Sequence, residues 1–327
     1  MRVRPLPPIA AEQCGVFSLH QAHWHPWSDV AVRHAVRSGR IIRLRTGVYQ
    51  AVDLDEVVPG LSPYEKARWR HAAAAIAGVL ATPGAQASHS TAAVLRGMPL
   101  LFLPSRSCAT VPPGLTGELP RVHLHRCTRA PDGQRVGGVD VTSDERMLID
   151  LAREHGMPMG VVAVDHALHV GSTTLRRLNA ELERCRGWPG LRAARDAIAF
   201  ADGRTESVLE SRSRLTFRRW GLPAPIPQVR IGNEWGGFIG RVDFYWPEFG
   251  VAGEADGDMK YDGEDVTPLI KQVRRQSKLE DLDLPVVRWS SRDLADFGPI
   301  AARLSRTFAR ASRIPVAERR WTILPPL

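Results

Sequence analysis

Lysine is scarce in this chain: only four of its 44 basic residues are lysines, and arginine supplies the rest. Arginine's planar fork suits phosphate oxygens and base edges, so nucleic acid is a reasonable partner. A GC-rich genome enriches arginine too, and composition alone leaves both sources open. Cysteine is equally rare. Cys14, Cys108, Cys127 and Cys185 lie far apart with no C-x-x-C pair, which argues against a disulfide scaffold and a zinc ribbon. Long apolar runs are missing as well. The longest, Ala72 to Ala81, is alanine-rich and too short to span a bilayer. The opening MRVRPLPPIAAEQ lacks the apolar stretch of a signal peptide. A cytoplasmic protein with no membrane partner is expected, and no internal repeat is found.

Apolar residues are plentiful enough for real cores. Of the 327 residues 43% are hydrophobic and 24% charged, a globular composition at a length of two or three domains. Residues 1–55 form the first expected domain. A helical pattern spans Phe17–Ala22, Ser28 caps a second helix carrying Val30, Val32, Ala35 and Val36, and Gly39 stops it. Ile42, Leu44 and Val48 to Tyr49 then read as a two-stranded wing around Thr46-Gly47. Seven arginines against two acids over residues 1–52 suit either a DNA-docking module or a basic domain for protein contacts.

Residues 56–202 read as a mixed α/β middle region. It has a capped helix from Pro63 to Leu80, strands near Ser107–Val111 and Arg121–Cys127, a helix stopped by Gly156, and helices at 158–168, 173–184 and 190–201. Residues 203–327 give the order α-β-β-β-α-β. A helix from Thr205 to Trp220 leads into an extended GLPAPIPQ connector and strands near 228–232, 238–246 and 250–256. A helix over 266–282, a strand at 285–289 and a last helix from Arg292 follow.

The chain carries a net charge of +9, yet eight carboxylates and one lysine fall between Asp243 and Asp265. Alternation places Val242, Phe244 and Trp246 on one face and Arg241, Asp243 and Tyr245 on the other. If Pro247-Glu248-Phe249-Gly250 closes a symmetric turn, Asp243 faces Glu254 across the hairpin and Asp256 shares the face of Glu254. Opposed like charges destabilise a sheet by up to about 1 kcal/mol, and burial demands a raised pKa or a counter-charge. A divalent cation, Mg2+ or Mn2+, supplies that counter-charge and activates water for phosphodiester hydrolysis. The plain alternative is a solvated acidic loop.

E-x-x-x-E-x-x-x-R on a helix, then GLPAPIPQ, RVDFYWP, EADGDMKY and PVVRW, resembles the PD-(D/E)XK restriction-endonuclease fold, in the branch related to very-short-patch-repair endonucleases. The resemblance covers residues 203–296. It implies a mixed sheet flanked by helices, with Asp243 and Glu254 as metal ligands, Asp256 beside them, and Glu210 or Glu206 completing the site. Glu210 also fits a capping box with Ser207 and an i, i+4 pair with Arg214. Two departures stand out. Asp256 replaces the lysine of the E-x-K motif, which leaves Lys260 or the next helix to orient water. That helix reads Lys271-Gln272-Val273-Arg274-Arg275 where relatives carry Glu-Lys, so Gln272 replaces a carboxylate.

GVFSLHQA and WSDVAVRHAVRSGRIIRLRTGVY are similar to the winged-helix domain of AbiEi-type antitoxins, over residues 10–52. This resemblance implies DNA binding, with Arg33, Arg37 and Arg40 on the recognition helix and Arg43 and Arg45 on the wing. ASHSTAA at 87–93 fits the same antitoxin-like architecture.

Other residues give weaker signals. His123, His125 and Cys127 alternate on one strand face in a zinc-compatible pattern, without an evident fourth ligand. His20, His23 and His25 read as packing and capping in a short loop. Ser88-His89-Ser90 suggests a nucleophile, without an acid partner or a Gly-x-Ser-x-Gly turn. The expectation is a multidomain α/β DNA-binding protein whose C-terminal domain is an Mg2+-dependent endonuclease acting on double-stranded DNA. Its catalytic set is Asp243, Glu254, Asp256, Lys260 and Glu210. The rival is a non-catalytic AbiEi-type antitoxin, a transcriptional regulator with a cognate toxin as partner and a decayed or structural nuclease fold. RNA as the substrate stays open.

Overall fold

A computed structural model describes residues 4–114, 121–127, 132–257, 282–315 and 319–325. The chain is a multidomain α/β protein with two compact units, Met1–Ala201 and Asp202–Leu327. Apart from Leu282, the helix expected over 266–282 lies outside the described residues, as do Lys260, Lys271, Gln272 and Arg275. Among the described residues, no helix is long and apolar enough to cross a membrane.

The first unit opens with α1 (Ile9–Glu12), β1 (Val16–Ser18), α2 (Leu19–His23) and α3 (Asp29–Arg37), then the hairpin β2 (Ile41–Arg45) and β3 (Val48–Ala51). Phe17 lies in a strand, not in the helix expected from that position. Ser18 ends the strand and caps α2 through a capping box with Gln21. The three strands form an antiparallel sheet in the order β1-β3-β2. Ser28 caps α3, and Gly39 turns the chain after it at a φ of 72°. Next, α4 (Pro63–Ala81) starts from a capping box of Ser62 and Glu65. Its second half is buried through Ala72, Ala73, Ala75, Ile76, Ala77, Gly78 and Val79, as befits a helix that is apolar all round. Small side chains there let α4 pack against both the N-terminal strands and a second sheet.

That second sheet comprises β4 (Gln86–Ala87), β5 (Ser107–Val111), β6 (Val122–Arg126), β7 (Gly133–Val136) and β8 (Val139–Thr142), in the order β6-β5-β4-β8-β7. Val136 pairs with Val139 across Gly137-Gly138, both at positive φ, the backbone that a two-residue hairpin of type I′ requires. Helices α5 (His89–Leu95), α6 (Asp144–His155), α7 (Met157–His169), α8 (Leu175–Arg184) and α9 (Leu191–Phe200) complete the unit.

The second unit holds α10 (Val208–Arg219), β9 (Ile226–Asn233), β10 (Phe238–Trp246), β11 (Val251–Asp256), β12 (Val286–Ser290), α11 (Gly298–Ala311) and β13 (Trp321–Leu324). The sheet order is β12-β11-β10-β9-β13, with β11 and β12 parallel and the other pairs antiparallel. β9 begins inside the expected proline-rich connector, and α11 begins at Gly298 rather than Arg292. One core cluster joins Phe217 of α10 to Phe244, Trp246, Val287 and Trp289 of the sheet and to Phe297, Leu304 and Phe308 at α11. Another gathers Val229, Ile231, Val242, Tyr245, Ala252 and Trp321. Both faces of β10 are therefore covered near its end. Tyr245, which alternation places with Arg241 and Asp243, is buried and accepts a hydrogen bond from Trp321 Nε1 at 3.0 Å.

Candidate functional site

Strand register sets the geometry of the carboxylates in the second unit. β10 and β11 pair as Phe244↔Gly253, Tyr245↔Ala252 and Trp246↔Val251, and one further step of that register puts Asp243 abreast of Glu254. The amides of Phe249 and Gly250 close the turn onto the Trp246 carbonyl. Past Gly253, Asp243 Oδ2 accepts the Ala255 N–H at 2.9 Å. On its other side β11 runs parallel to β12, with Glu254↔Arg288 and Asp256↔Ser290. Glu254 is 2% exposed, and Arg288 Nη2 lies 3.1 Å from its Oε2. A buried carboxylate needs such a partner, because an unpaired charge there is costly. Asp256 is half-buried at the end of the strand.

Glu210, in the first turn of α10, is buried. Its carboxylate accepts the Glu206 N–H at 3.2 Å, the Ser207 hydroxyl at 2.8 Å and Gln228 Nε2 at 2.7 Å. Gln228 stands at φ 56° between the pairs Val229↔Val242 and Pro227↔Phe244, which places it beside Asp243. Burial pushes the Glu210 carboxyl above its usual range and the charge of Asp243 adds to this, against the pull of the Gln228, Ser207 and Glu206 donors. Glu206, the other helix glutamate, pairs with Arg241 at 2.7 Å. Lys260 lies outside the described residues.

The N-terminal arginines divide into two groups. Arg33 and Arg37 are exposed on α3. Arg40 does not belong to that helix, which ends at Arg37 before the Gly39 turn. Arg40 instead pairs with Glu56 at 2.7 Å, its guanidinium 5.8 Å from the Trp27 ring. On the wing, Arg43 folds back to donate to the Arg45 carbonyl at 3.2 Å and the Thr46 hydroxyl at 3.0 Å. Arg45 is half-buried and lines a cleft with Arg70 and His71.

The middle region holds an acid partner where none was expected. Glu154 Oε2 lies 3.3 Å from His89 Nε2, and the Ser88 hydroxyl lies 3.0 Å from His89 Nδ1. Of the expected trio, only His125 joins His89, Cys108 and Glu154 in one group. His123 touches the other Glu154 oxygen at 2.9 Å, and Cys127 lines an adjacent cavity. Alternation along β6 was visible in the sequence. The parallel pairing of β5 with β6, Cys108↔His123 and Thr110↔His125, was not.

Close by, His71 Nε2 lies 3.0 Å from the Ser90 hydroxyl. Burial, with His155 adding to it, lowers His71 from 6.5 to about 4. A folded value below the unfolded one means that the unfolded chain takes up this proton first as the pH falls. Stability present above pH 6.5 is thus lost progressively down to about pH 4. Between pH 7 and pH 4.5, His71→Gln is expected to lose about 1–2 kcal/mol less stability than the wild type. Urea titrations at the two pH values measure this, and equal acid losses in both proteins would refute it.

No family model matches the chain. Two uncharacterized proteins, from two strains of Mycobacterium tuberculosis, are each 33% identical to it over 183 residues. The match takes in 54% of this chain and 65% of each relative, so the chain spans just under two thirds of their length.

Proposed function

We propose that the chain is a DNA-binding protein whose C-terminal unit hydrolyses a phosphodiester bond with Mg2+ or Mn2+. The observation that supports it is register: Asp243 stands one step beyond the Phe244↔Gly253 pair, abreast of Glu254, with the buried Glu210 near enough to feel the charge of Asp243 and Asp256 two residues beyond Glu254. Oxygen donors of this kind suit Mg2+ or Mn2+. Burial, and to a lesser degree the charge of Asp243, pushes the Glu210 carboxyl up, and a bound cation would offset both. When bound, such an ion activates water and neutralises the leaving oxygen. Asp243 and Glu254 hold it, Asp256 supports them, and Glu210 is fixed in place by Gln228 and Ser207. Resemblance to the nuclease fold, rather than geometry, gives Lys260 the task of orienting water. Arg33 and Arg37 meet duplex phosphates.

Purified protein with Mg2+ is expected to nick or cut plasmid DNA. Asp243→Ala should lose that activity while still retarding DNA in a gel. Intact plasmid across a range of metals and sequences would overturn the reading.

The second reading is a non-catalytic regulator of the AbiEi antitoxin type, acting at a promoter and held by a cognate toxin. The Arg288–Glu254 ion pair and the Ala255–Asp243 hydrogen bond favour it, since they already serve the charges that an ion would serve. Calorimetry separates the two. Mg2+ or Mn2+ binding abolished by Glu254→Ala supports the enzyme, and absent binding supports the regulator.

A further inference from the structure

Four side chains used by neither reading meet beside the second sheet: His89 at the start of α5, Cys108 in β5, His125 in β6 and Glu154 in α6. His89 and Cys108 are buried, His125 is half-buried, and Glu154 reaches in from the surface. Glu154 Oε2 lies 3.3 Å from His89 Nε2, 3.3 Å from His125 Nε2 and 4.0 Å from Cys108 Sγ. All four donor atoms lie within 4.8 Å of one another. Tetrahedral zinc, with its known bond lengths to nitrogen, oxygen and sulfur, spaces its donors about 3.3–3.6 Å apart. The Glu154 oxygen already has that spacing from both imidazole nitrogens, and it lies 4.0 Å from the sulfur.

His125 Nε2 lies 3.3 Å from Glu154 Oε2, and its interaction with that carboxylate, together with those of His89 and His123, holds the Glu154 carboxyl well below its ordinary range. The His89 and His125 rings stack with centroids 3.7 Å apart and planes at 17°, so one ring must turn for both Nε2 lone pairs to meet at a single ion.

Outer contacts aim the donors inward. The Ser88 hydroxyl occupies His89 Nδ1 at 3.0 Å, and His123 Nδ1 occupies Glu154 Oε1 at 2.9 Å. Nε2 and Oε2 are left for the centre, an arrangement typical of the groups that orient metal ligands. Cys108 is anchored as its N–H donates to the Thr91 hydroxyl at 2.8 Å. His89 itself sits at a left-handed φ of 48°, a conformation retained only where its surroundings enforce it.

We propose that His89, His125, Glu154 and Cys108 bind a zinc-class divalent metal in four-coordinate geometry. One dication, one thiolate, one carboxylate and two neutral imidazoles sum to zero charge, which limits the cost of burial. Cys108, pushed up to about 12 by burial and by Glu154, is a thiol without metal, and binding releases its proton to solvent. Four protein ligands close the coordination shell, so the metal's role is to tie α5, β5, β6 and α6 together. A cavity of about 430 Å³, lined by His89, His125, Arg146, Asp150, Arg153 and Trp188, gives access from solvent.

Full-length protein stripped with a chelator and reloaded with Zn2+ or Co2+ tests this. The expected result is one metal per chain and, with cobalt, a thiolate-to-metal charge-transfer band that Cys108→Ser removes. His125→Ala should weaken zinc binding by at least about 100-fold. With Mg2+ in excess throughout, the cobalt charge-transfer band should be the same in Asp243→Ala as in the wild type, because the carboxylates of the second unit offer no thiolate. Circular dichroism checks that each variant is folded. If His125→Ala fails to fold, the cobalt band in Cys108→Ser decides. A wild type that takes up neither metal at micromolar concentration, or a Cys108→Ser protein with an unchanged band, overturns the proposal.

Discussion

Phe217→Ala is expected to cost the second unit about 3–5 kcal/mol of stability. Phe217 is 1% exposed and lies 5.4 Å, centroid to centroid, from each of Phe244, Trp246 and Trp289, and 5.8 Å from Phe297. Most of these are edge-to-face contacts, which add to simple burial. Truncation removes the transfer energy of the ring and leaves a cavity that its neighbours cannot close. Trp246 is tethered through Nε1 to the Pro223 carbonyl at 2.8 Å, and Trp289 through Nε1 to the Ser213 hydroxyl at 2.7 Å. Neither indole can swing inward without losing that bond. Space around them is already full: a Cβ on Gly253 would meet Trp289 at 2.7 Å and Trp246 at 2.9 Å. Chemical denaturation followed by tryptophan fluorescence measures the loss. A cost below about 1 kcal/mol would mean that the rings repack, contrary to the rigidity argued here.

Signals carried by a few neighbouring residues were legible in the sequence, and those that depend on distant chain segments were not. Ser28, Ser62 with Glu65, and Gly156 marked helix ends correctly because caps act within one turn. The pairing of Phe244 with Gly253 follows from the length of the Pro247–Gly250 turn, since a hairpin's turn sets its register. Arg40 was placed on the recognition helix by resemblance, although Gly39 already marked the stop before it, and its partner Glu56 comes only after β3. Phe17 fell to a strand because three residues are too few to show a period. Alternation put Tyr245 with Asp243 and Arg241 but could not show its burial, which the edge strand Trp321–Leu324 and β9 provide. His89 and Glu154 are 65 positions apart in the sequence. They meet because α5 and α6 pack together beside β5 and β6, and no local pattern encodes that.

The same helix α6 carries the residue whose loss should be most damaging in the first unit. Asp150→Ala is expected to destabilise it by about 3–5 kcal/mol, the usual cost of leaving a buried ion pair half removed. Asp150 is 0% exposed, with Arg146 Nε at 2.6 Å and Arg153 Nη1 at 2.7 Å on its two oxygens. Helical spacing of four and three residues puts both arginines beside it. Their guanidiniums also lie over the Trp188 ring, at 4.1 and 4.8 Å from its centroid, so neither is free to turn to solvent without giving up that contact. Burial pushes the Asp150 carboxyl up, against the pull of Arg146 and Arg153. Pairing therefore offsets desolvation rather than adding to stability, and the main cost of removal is two unneutralised cations. Asp150→Asn keeps the shape and one acceptor, and should lose less. The double variant Asp150→Ala with Arg146→Leu should recover part of the loss, because it takes away one orphaned charge together with its partner. Thermal and urea denaturation of the three variants measure this. If the double variant proves no more stable than Asp150→Ala alone, the deficit lies in packing around Trp188 and not in charge.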